Sequence, residues 1–151
     1  MKSELSFVFH KEKCIQCHGC EVACKVNQPT EAHIYRRRVE NQWEGTYPNV
    51  KCSTVNTSCR HCVEPECMDI CPVNAISKDP KTGAVSVDVE LCVGCRACER
   101  VCPWGVPQFR EDRKMDKCSI CDPNPPCVRD CPTGALELVW MDVEEKESYE
   151  K

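Results

Sequence analysis

Sixteen of the chain's 17 cysteines fall into four short runs, and this arrangement limits the possible folds more than any other feature. Run one, "CIQCHGCEVAC", carries Cys14, Cys17, Cys20 and Cys24. Run two, "CRHCVEPECMDIC", carries Cys59, Cys62, Cys67 and Cys71. Run three, "CVGCRACERVC", carries Cys92, Cys95, Cys98 and Cys102. Run four, "CSICDPNPPCVRDC", carries Cys118, Cys121, Cys127 and Cys131, which leaves Cys52 apart. Every run opens with C-x2-C and closes with C-x3-C. Runs two to four continue into proline, whereas run one continues into Lys25. Internal repetition of this kind governs the reading of everything else.

Thiols this dense serve disulfides, zinc or iron–sulfur clusters. Disulfides suit an oxidising compartment and an even count; this chain has an odd count, and its N-terminus offers only a four-residue apolar stretch, too short for the core of an export signal. Zinc uses two C-x2-C pairs and has no use for a third cysteine three residues further on. Runs one and three have the C-x2-C-x2-C-x3-C spacing with which bacterial ferredoxins hold [4Fe–4S] clusters. Three thiolates of a run reach one cluster; the fourth, a helical step of four later, points the other way and ligates a neighbouring one. Sixteen ligands make four [4Fe–4S] clusters with nothing missing. Leu, Ile, Val and Phe number only 29 of 151 residues, so the clusters are expected to tie distant segments together as a structural metal does.

The remaining composition excludes several functions. A pI near 5.6 and a net charge of −4 give no electrostatic reason to expect nucleic acid. No apolar stretch approaches the length of a membrane span. Without an export signal of its own the chain is expected in the cytoplasm by default, export alongside a signal-bearing partner remaining open. It shows no nucleophile or acid–base pair, so alone it is expected to catalyse nothing.

The segments around the runs indicate how they pair. Between runs two and three, Asp79-Pro80-Lys81-Thr82-Gly83 reads as a turn joining the strand pieces Ala75–Ser77 and Ala84–Val87. "PTGALELVW" after run four mirrors "PVNAISKD" after run two, and "LSFVFHKEKC" before run one mirrors "AVSVDVELC" before run three. The same hairpin strands therefore stand one at each terminus, without a turn. The expected fold is α+β: two nested bacterial 2[4Fe–4S] ferredoxin-like units with a ligand-free insert. Residues 1–24 and 103–140 make one unit from runs one and four; 25–58 are the insert; 59–102 make the inserted unit from runs two and three; 141–151 are a charged tail. Cluster 1 then takes Cys14, Cys17, Cys20 and Cys131; cluster 2 takes Cys118, Cys121, Cys127 and Cys24; cluster 3 takes Cys59, Cys62, Cys67 and Cys102; cluster 4 takes Cys92, Cys95, Cys98 and Cys71. Lys25 replaces the usual proline because the chain leaves run one for the insert.

Over nearly its whole length the chain resembles the four-cluster electron-transfer subunits of molybdenum and tungsten pterin oxidoreductases, the dimethyl-sulfoxide-reductase type. The likeness rests on run one, "YRRRVE", "CRHCVEPECMDICP", "CVGCRACERVCPWGVPQF" and "MDKCSICDPNPPCVRDCPTGAL". It implies a pterin-containing molybdenum or tungsten catalytic subunit as partner and a line of clusters leading away from it, cluster 1 nearest and cluster 4 at the outlet. Family members with tryptophan in run three hold a three-iron cluster; Cys95 argues against one here. Only five residues separate Cys121 from Cys127, where many relatives carry a longer loop.

Other residues carry weaker expectations. The insert's "HIYRRRVENQWEGTYPNV" mixes arginine with aromatic residues, the composition of an interface hot spot, so Arg36, Arg37, Arg38, Trp43 and Tyr47 are candidate partner contacts, a solvated loop being the alternative. Cys52 is expected to be a small packing residue or a solvated thiol. His18, His33 and His61 read as surface or packing residues, the alternative for His18 and His61, which sit between ligands, being to tune a cluster's potential. Arg60, Arg96, Arg100, Lys117 and Arg129 flank the cysteines, where cations favour the reduced form of a negatively charged cluster or are simply solvated. The tail is either a frayed helix or a partner-binding strap. The rival to a resident electron-transfer subunit is a free-standing polyferredoxin shuttling between enzymes such as hydrogenase or formate dehydrogenase; a zinc-stabilised interaction module stands third.

Overall fold

The computed structural model describes residues 2–121 and 123–150. In chain order it contains β1 (Ser3–Phe9), α1 (Gly19–Asn27), β2 (Arg37–Glu44), β3 (Lys51–Ser58), α2 (Glu66–Asp69), β4 (Ile76–Lys78) and β5 (Val85–Val87). There follow α3 (Ala97–Val101), β6 (Gln108–Phe109), β7 (Met115–Asp116), α4 (Pro126–Arg129), β8 (Leu136–Asp142) and α5 (Val143–Glu150). The strands form four antiparallel pairs: β1–β8, β2–β3, β4–β5 and β6–β7.

The two ends of the chain meet. Ser3 lies opposite Asp142 and Phe9 opposite Leu136, so the strand signals at opposite termini do pair, and β8 continues past the expected limit at 140. Between runs two and three, Ile76 faces Val87 across the anticipated hairpin. Its turn is held by the Asp79 carboxylate, which accepts from the Lys81 N–H at 2.9 Å and the Thr82 hydroxyl at 2.7 Å. Gly83 sits there at φ +73, and a Cβ on it would come within 2.6 Å of the Glu4 side chain. The turn is thereby pressed against β1, and the Leu5 N–H donates to the Thr82 carbonyl at 2.8 Å.

The helices are short for a local reason. Pro72 and Pro132 directly follow the closing cysteines of runs two and four and cannot continue a helix, so α2 and α4 stop after four residues. Cys24 has no proline behind it, and α1 runs on for nine residues. Helix α1 packs against α4, and α2 against α3. The insert is an ordered hairpin, with Arg37 opposite Ser58 and Trp43 opposite Cys52, rather than a loop.

Two small apolar groups make the core, and cysteines belong to both. Phe7, Val106 and Leu136 pack with Cys59, Cys118 and Cys127; Ile76, Val85, Phe109 and Met115 pack with Cys98. The charged tail is neither frayed nor loose up to the last described residue. Lys146 of α5 is fully buried, donating to the His61 carbonyl at 2.6 Å and to the Glu4 carboxylate at 3.1 Å. Lys78 reaches the same carboxylate at 2.8 Å. Burial would raise the Glu4 pKa, but hydrogen bonds and charge from Lys78 and Lys146 outweigh it and lower the value. This buried triad explains why β1 is covered on both faces instead of alternating in and out.

Candidate metal centres

The same backbone device is repeated at every run. The residue before each second cysteine is in the left-handed region: Gln16 (φ 60), His61 (φ 54), Gly94 (φ 69) and Ile120 (φ 56). In the two C-x2-C-x2-C runs the residue after it, His18 (φ 57) or Arg96 (φ 61), is left-handed too. Such turns aim successive N–H groups into one concavity, the arrangement that cradles anions and iron–sulfur sites. A β-branched Ile120 in that region is strained, which the surrounding structure must impose. Asn74, Gly105 and Gly134 repeat a further left-handed step three residues after Cys71, Cys102 and Cys131. Run one lacks it, since its corresponding residue, Asn27, is still helical.

These turns direct N–H groups at sulfur. The Ala75 N–H donates to Cys71 Sγ at 3.3 Å, the Met115 N–H to Cys92 Sγ at 3.4 Å and the Gln16 N–H to Cys14 Sγ at 3.5 Å. Cys131 accepts from the N–H groups of Thr133, Leu136 and Ala135; burial pushes its thiol up, but these bonds prevail and its pKa is lowered. Side chains contribute as well. Asn56 Nδ2 donates to Cys20 Sγ at 3.5 Å, and Lys117 Nζ to Cys59 Sγ at 3.5 Å.

The cysteines gather around separate hollows. Cys71, Cys92, Cys95 and Cys98 line one cavity, together with Ile76, Val87 and Phe109. Cys59, Cys62, Cys67 and Cys102 line another, beside Lys117 and Trp104. Cys24 is pushed up to about 12, by burial first and then by Cys118, Cys127 and Cys121, thiols from the far end of the chain. Cys20 is raised by burial and by Cys127 and Cys131. Cys67 rises to about 11 through burial and the proximity of Cys59, Cys102 and Cys98, and Cys98 to about 11 through burial and Cys92 and Cys95. Among the described residues no three Cys, His, Asp or Glu side chains are drawn together as they would be around a single metal ion. Thiols that resist ionisation because they are buried, and secondarily because other thiols lie near, need a compensating cationic centre before they can serve as thiolates. The residues present therefore fit iron–sulfur clusters.

The candidate partner contacts divide. Arg37 is 3% exposed and turned inward, and Arg36 binds Asp116, Nε to Oδ1, at 2.6 Å, so these two do not stand on an outer contact surface as the composition suggested. The reason is strand alternation: Arg37 and Val39 are buried, while Arg38 and Glu40 face out. Trp43 and Tyr47, at 70% and 92% exposed, lie on the outside. His61, read as a surface or packing residue, is fully buried, its Nδ1 accepting the Val85 N–H at 3.0 Å. His18 is half exposed beside Glu21 at 3.1 Å. Arg60 stacks on Trp104 at 4.8 Å, Arg96 on Phe109 at 4.8 Å, and Arg129 pairs with Asp130 at 2.8 Å; of the flanking cations, Lys117 meets a cysteine sulfur. Cys52 lies outside the sets, its sulfur accepting from Gln16 Nε2 at 3.4 Å. Lys25 bonds Thr30 Oγ1 at 3.0 Å and the Glu31 and Ile34 carbonyls, fastening the chain as it leaves α1. Asn56 and the left-handed residues escaped sequence reading; glycine at 94, 105 and 134 was their visible trace.

Residues 50–141 match the 4Fe-4S dicluster domain family, and residues 11–27 match a 4Fe-4S binding domain. The chain is 32% identical to an anaerobic dimethyl sulfoxide reductase component of Escherichia coli (strain K12), covering 94% of this chain and 76% of that protein. It is 33% identical to a sulfite dehydrogenase subunit of Allochromatium vinosum, covering 88% and 67%, and 35% identical to the protein NrfC of Escherichia coli (strain K12), covering 89% and 65%. With ferredoxin-type cysteine runs, sulfur-directed N–H groups and these relatives in agreement, the chain belongs to the iron–sulfur electron-transfer subunits of the dimethyl-sulfoxide-reductase type.

Proposed function

We propose that this subunit wires a molybdenum- or tungsten-pterin catalytic subunit to a second redox partner through four [4Fe–4S] clusters held in two nested ferredoxin-like units. Cys14, Cys17, Cys20 and Cys131 would hold the first; Cys118, Cys121, Cys127 and Cys24 the second. Cys59, Cys62, Cys67 and Cys102 would hold the third; Cys92, Cys95, Cys98 and Cys71 the fourth. Each cluster, when bound, supplies a one-electron centre; the chain supplies thiolates, N–H donors to sulfur, burial and fixed spacing. The observation that carries this reading is the company that two closing cysteines keep: Cys71 lines the cavity of Cys92, Cys95 and Cys98, and Cys24 lies near Cys118, Cys121 and Cys127. Support for nesting comes from the β1–β8 pairing and the packing of α1 on α4 and α2 on α3.

The resemblance puts the first site on the catalytic side, and the exposed Trp43, opposite Cys52, which is bonded to Gln16 of run one, offers a contact surface near it. The test compares Cys24→Ser with Cys121→Ser and Cys17→Ser by low-temperature electron paramagnetic resonance. Cys24→Ser is expected to alter the same signal as Cys121→Ser; a match to Cys17→Ser refutes the exchange. The anaerobically purified chain should bind about sixteen irons, and the native complex should contain molybdenum or tungsten.

A further inference from the structure

The least comfortable charge in the molecule is Arg37. Its side chain is 3% exposed, stacked over the Phe7 ring at 4.5 Å, and fixed by Nη1 donating to Asn56 Oδ1 at 2.6 Å. Nε and Nη2 are also buried and have no acceptor among the described residues. A guanidinium stays charged under all ordinary conditions, and burying one with free donors is costly unless an anion answers it. No carboxylate is paired with it among the described ion pairs; Asp116 is taken by Arg36. What surrounds it is sulfur. Asn56, which holds Nη1, donates to Cys20; Phe7 belongs to the apolar group that contains Cys59, Cys118 and Cys127, with Cys20, Cys24, Cys102 and Cys131 packed against it, so most but not all of these sulfurs belong to the first two sites. Burial raises the thiols of Cys20, Cys24 and Cys118, and Arg37 opposes the rise at all three.

We infer that Arg37 is a positioning residue shared by the first two cluster sites, its free Nε and Nη2 donating to the sulfur of the clusters they hold and its charge keeping both sites easier to reduce. This rests on the four-cluster reading above. An electron arriving at either site adds one negative charge and neither makes nor breaks a bond. A buried cation beside that charge favours the reduced state, and hydrogen bonds to sulfur act in the same direction. Placing one cation against two sites raises both potentials, so the step between them is left unchanged while both become easier to reduce relative to the other sites.

The test uses the full chain, loaded with clusters and purified anaerobically, as wild type, Arg37→Gln and Arg37→Lys. Iron content is measured first, then the four midpoint potentials by paramagnetic-resonance-monitored titration, with signals assigned through Cys17→Ser and Cys121→Ser. Arg37→Gln is expected to keep its iron while the potentials of the sites at Cys17 and Cys121 shift downward and the other two stay in place. Arg37→Lys, which keeps the charge without the fork, should recover part of the shift. Full iron with four unmoved potentials overturns the inference. Loss of iron in both variants, with the surviving potentials unmoved, overturns it too, by making Arg37 a packing residue alone. A wild-type chain lacking cubane-type iron would instead sink the four-cluster reading, a result distinguishable at the first measurement.

Discussion

Side chains that lie between the runs decide how well each sulfur is served. Lys117 is 3% exposed, and its ammonium bonds the Cys59 sulfur, the Cys118 carbonyl at 3.0 Å and the Val85 carbonyl. It therefore ties β5 to the first cysteines of runs two and four. Lys117→Met keeps the stem and removes all three bonds, leaving two buried carbonyls unanswered. The expected loss is about 1–3 kcal/mol, read as a lower urea midpoint at neutral pH; an unchanged midpoint would show that water replaces the ammonium. The thiols themselves make loading pH-dependent. Cys24 near 12, with Cys67, Cys98 and Cys118 near 11, is protonated at neutral pH in the metal-free fold, and ligation requires thiolate. Loading must expel those protons, so cluster assembly is expected to release acid and to become more favourable as pH rises from about 7 to about 9. A pH-stat recording no acid release during anaerobic reconstitution would contradict this.

At the scale of elements, the turns around the cysteines matter more than the helices. Gly94 and Gly134 are both left-handed, at φ +69 and +62, but their surroundings differ. A Cβ on Gly94 would meet the Arg113 carbonyl oxygen far inside contact distance, whereas nothing lies within 4 Å of one on Gly134. Gly134→Ala should cost only the left-handed penalty of about 1–2 kcal/mol. Gly94→Ala adds a backbone clash in the loop between Cys92 and Cys95, and is expected to cost more and to lower iron content at that site. Thermal melting and iron analysis of the two variants check the order. The β2–β3 hairpin has its own consequence. With Arg37 buried and Arg36 tied to Asp116, the candidate contacts left on its outer surface are Arg38, Trp43 and Tyr47. Trp43→Ala is expected to weaken co-purification with the catalytic subunit by at least tenfold in Kd, about 1.4 kcal/mol, with iron content unchanged. Intact binding would move the interface elsewhere.

Taken whole, the molecule is built around its metal sites, because cysteines occupy the places that aliphatic residues fill in ordinary cores. Chelating the iron is accordingly expected to weaken the fold rather than merely bleach it, as a lower thermal midpoint by circular dichroism after chelation would show; an unchanged midpoint would contradict it. Among the described residues, the terminal strand β1 and helix α5 are fastened to the middle of the chain by Glu4 with Lys78 and Lys146, by the Leu5–Thr82 backbone bond and by Lys146 on the His61 carbonyl, and Lys117 adds a tie to β5. Sequence alone determined the chemistry, because ligand spacing is a local property: four thiols at C-x2-C and C-x3-C intervals speak for iron–sulfur wherever they lie. It also placed the hairpin at 79–83 and matched the strands at the two termini, since turn residues and alternating apolar residues act over short stretches. It could not separate Arg36, Arg37 and Arg38, which are adjacent in the chain and alike in composition. Only the tertiary structure assigned one to Asp116, one to the buried sulfur-rich interior and one to solvent, because strand alternation gives opposite directions to neighbours while packing decides what each direction meets. The tail likewise read, from its charge, as a frayed helix or a partner-binding strap. Its Lys146 found a buried partner only once β1, supplying Glu4 from the other end of the chain, had been folded beside it.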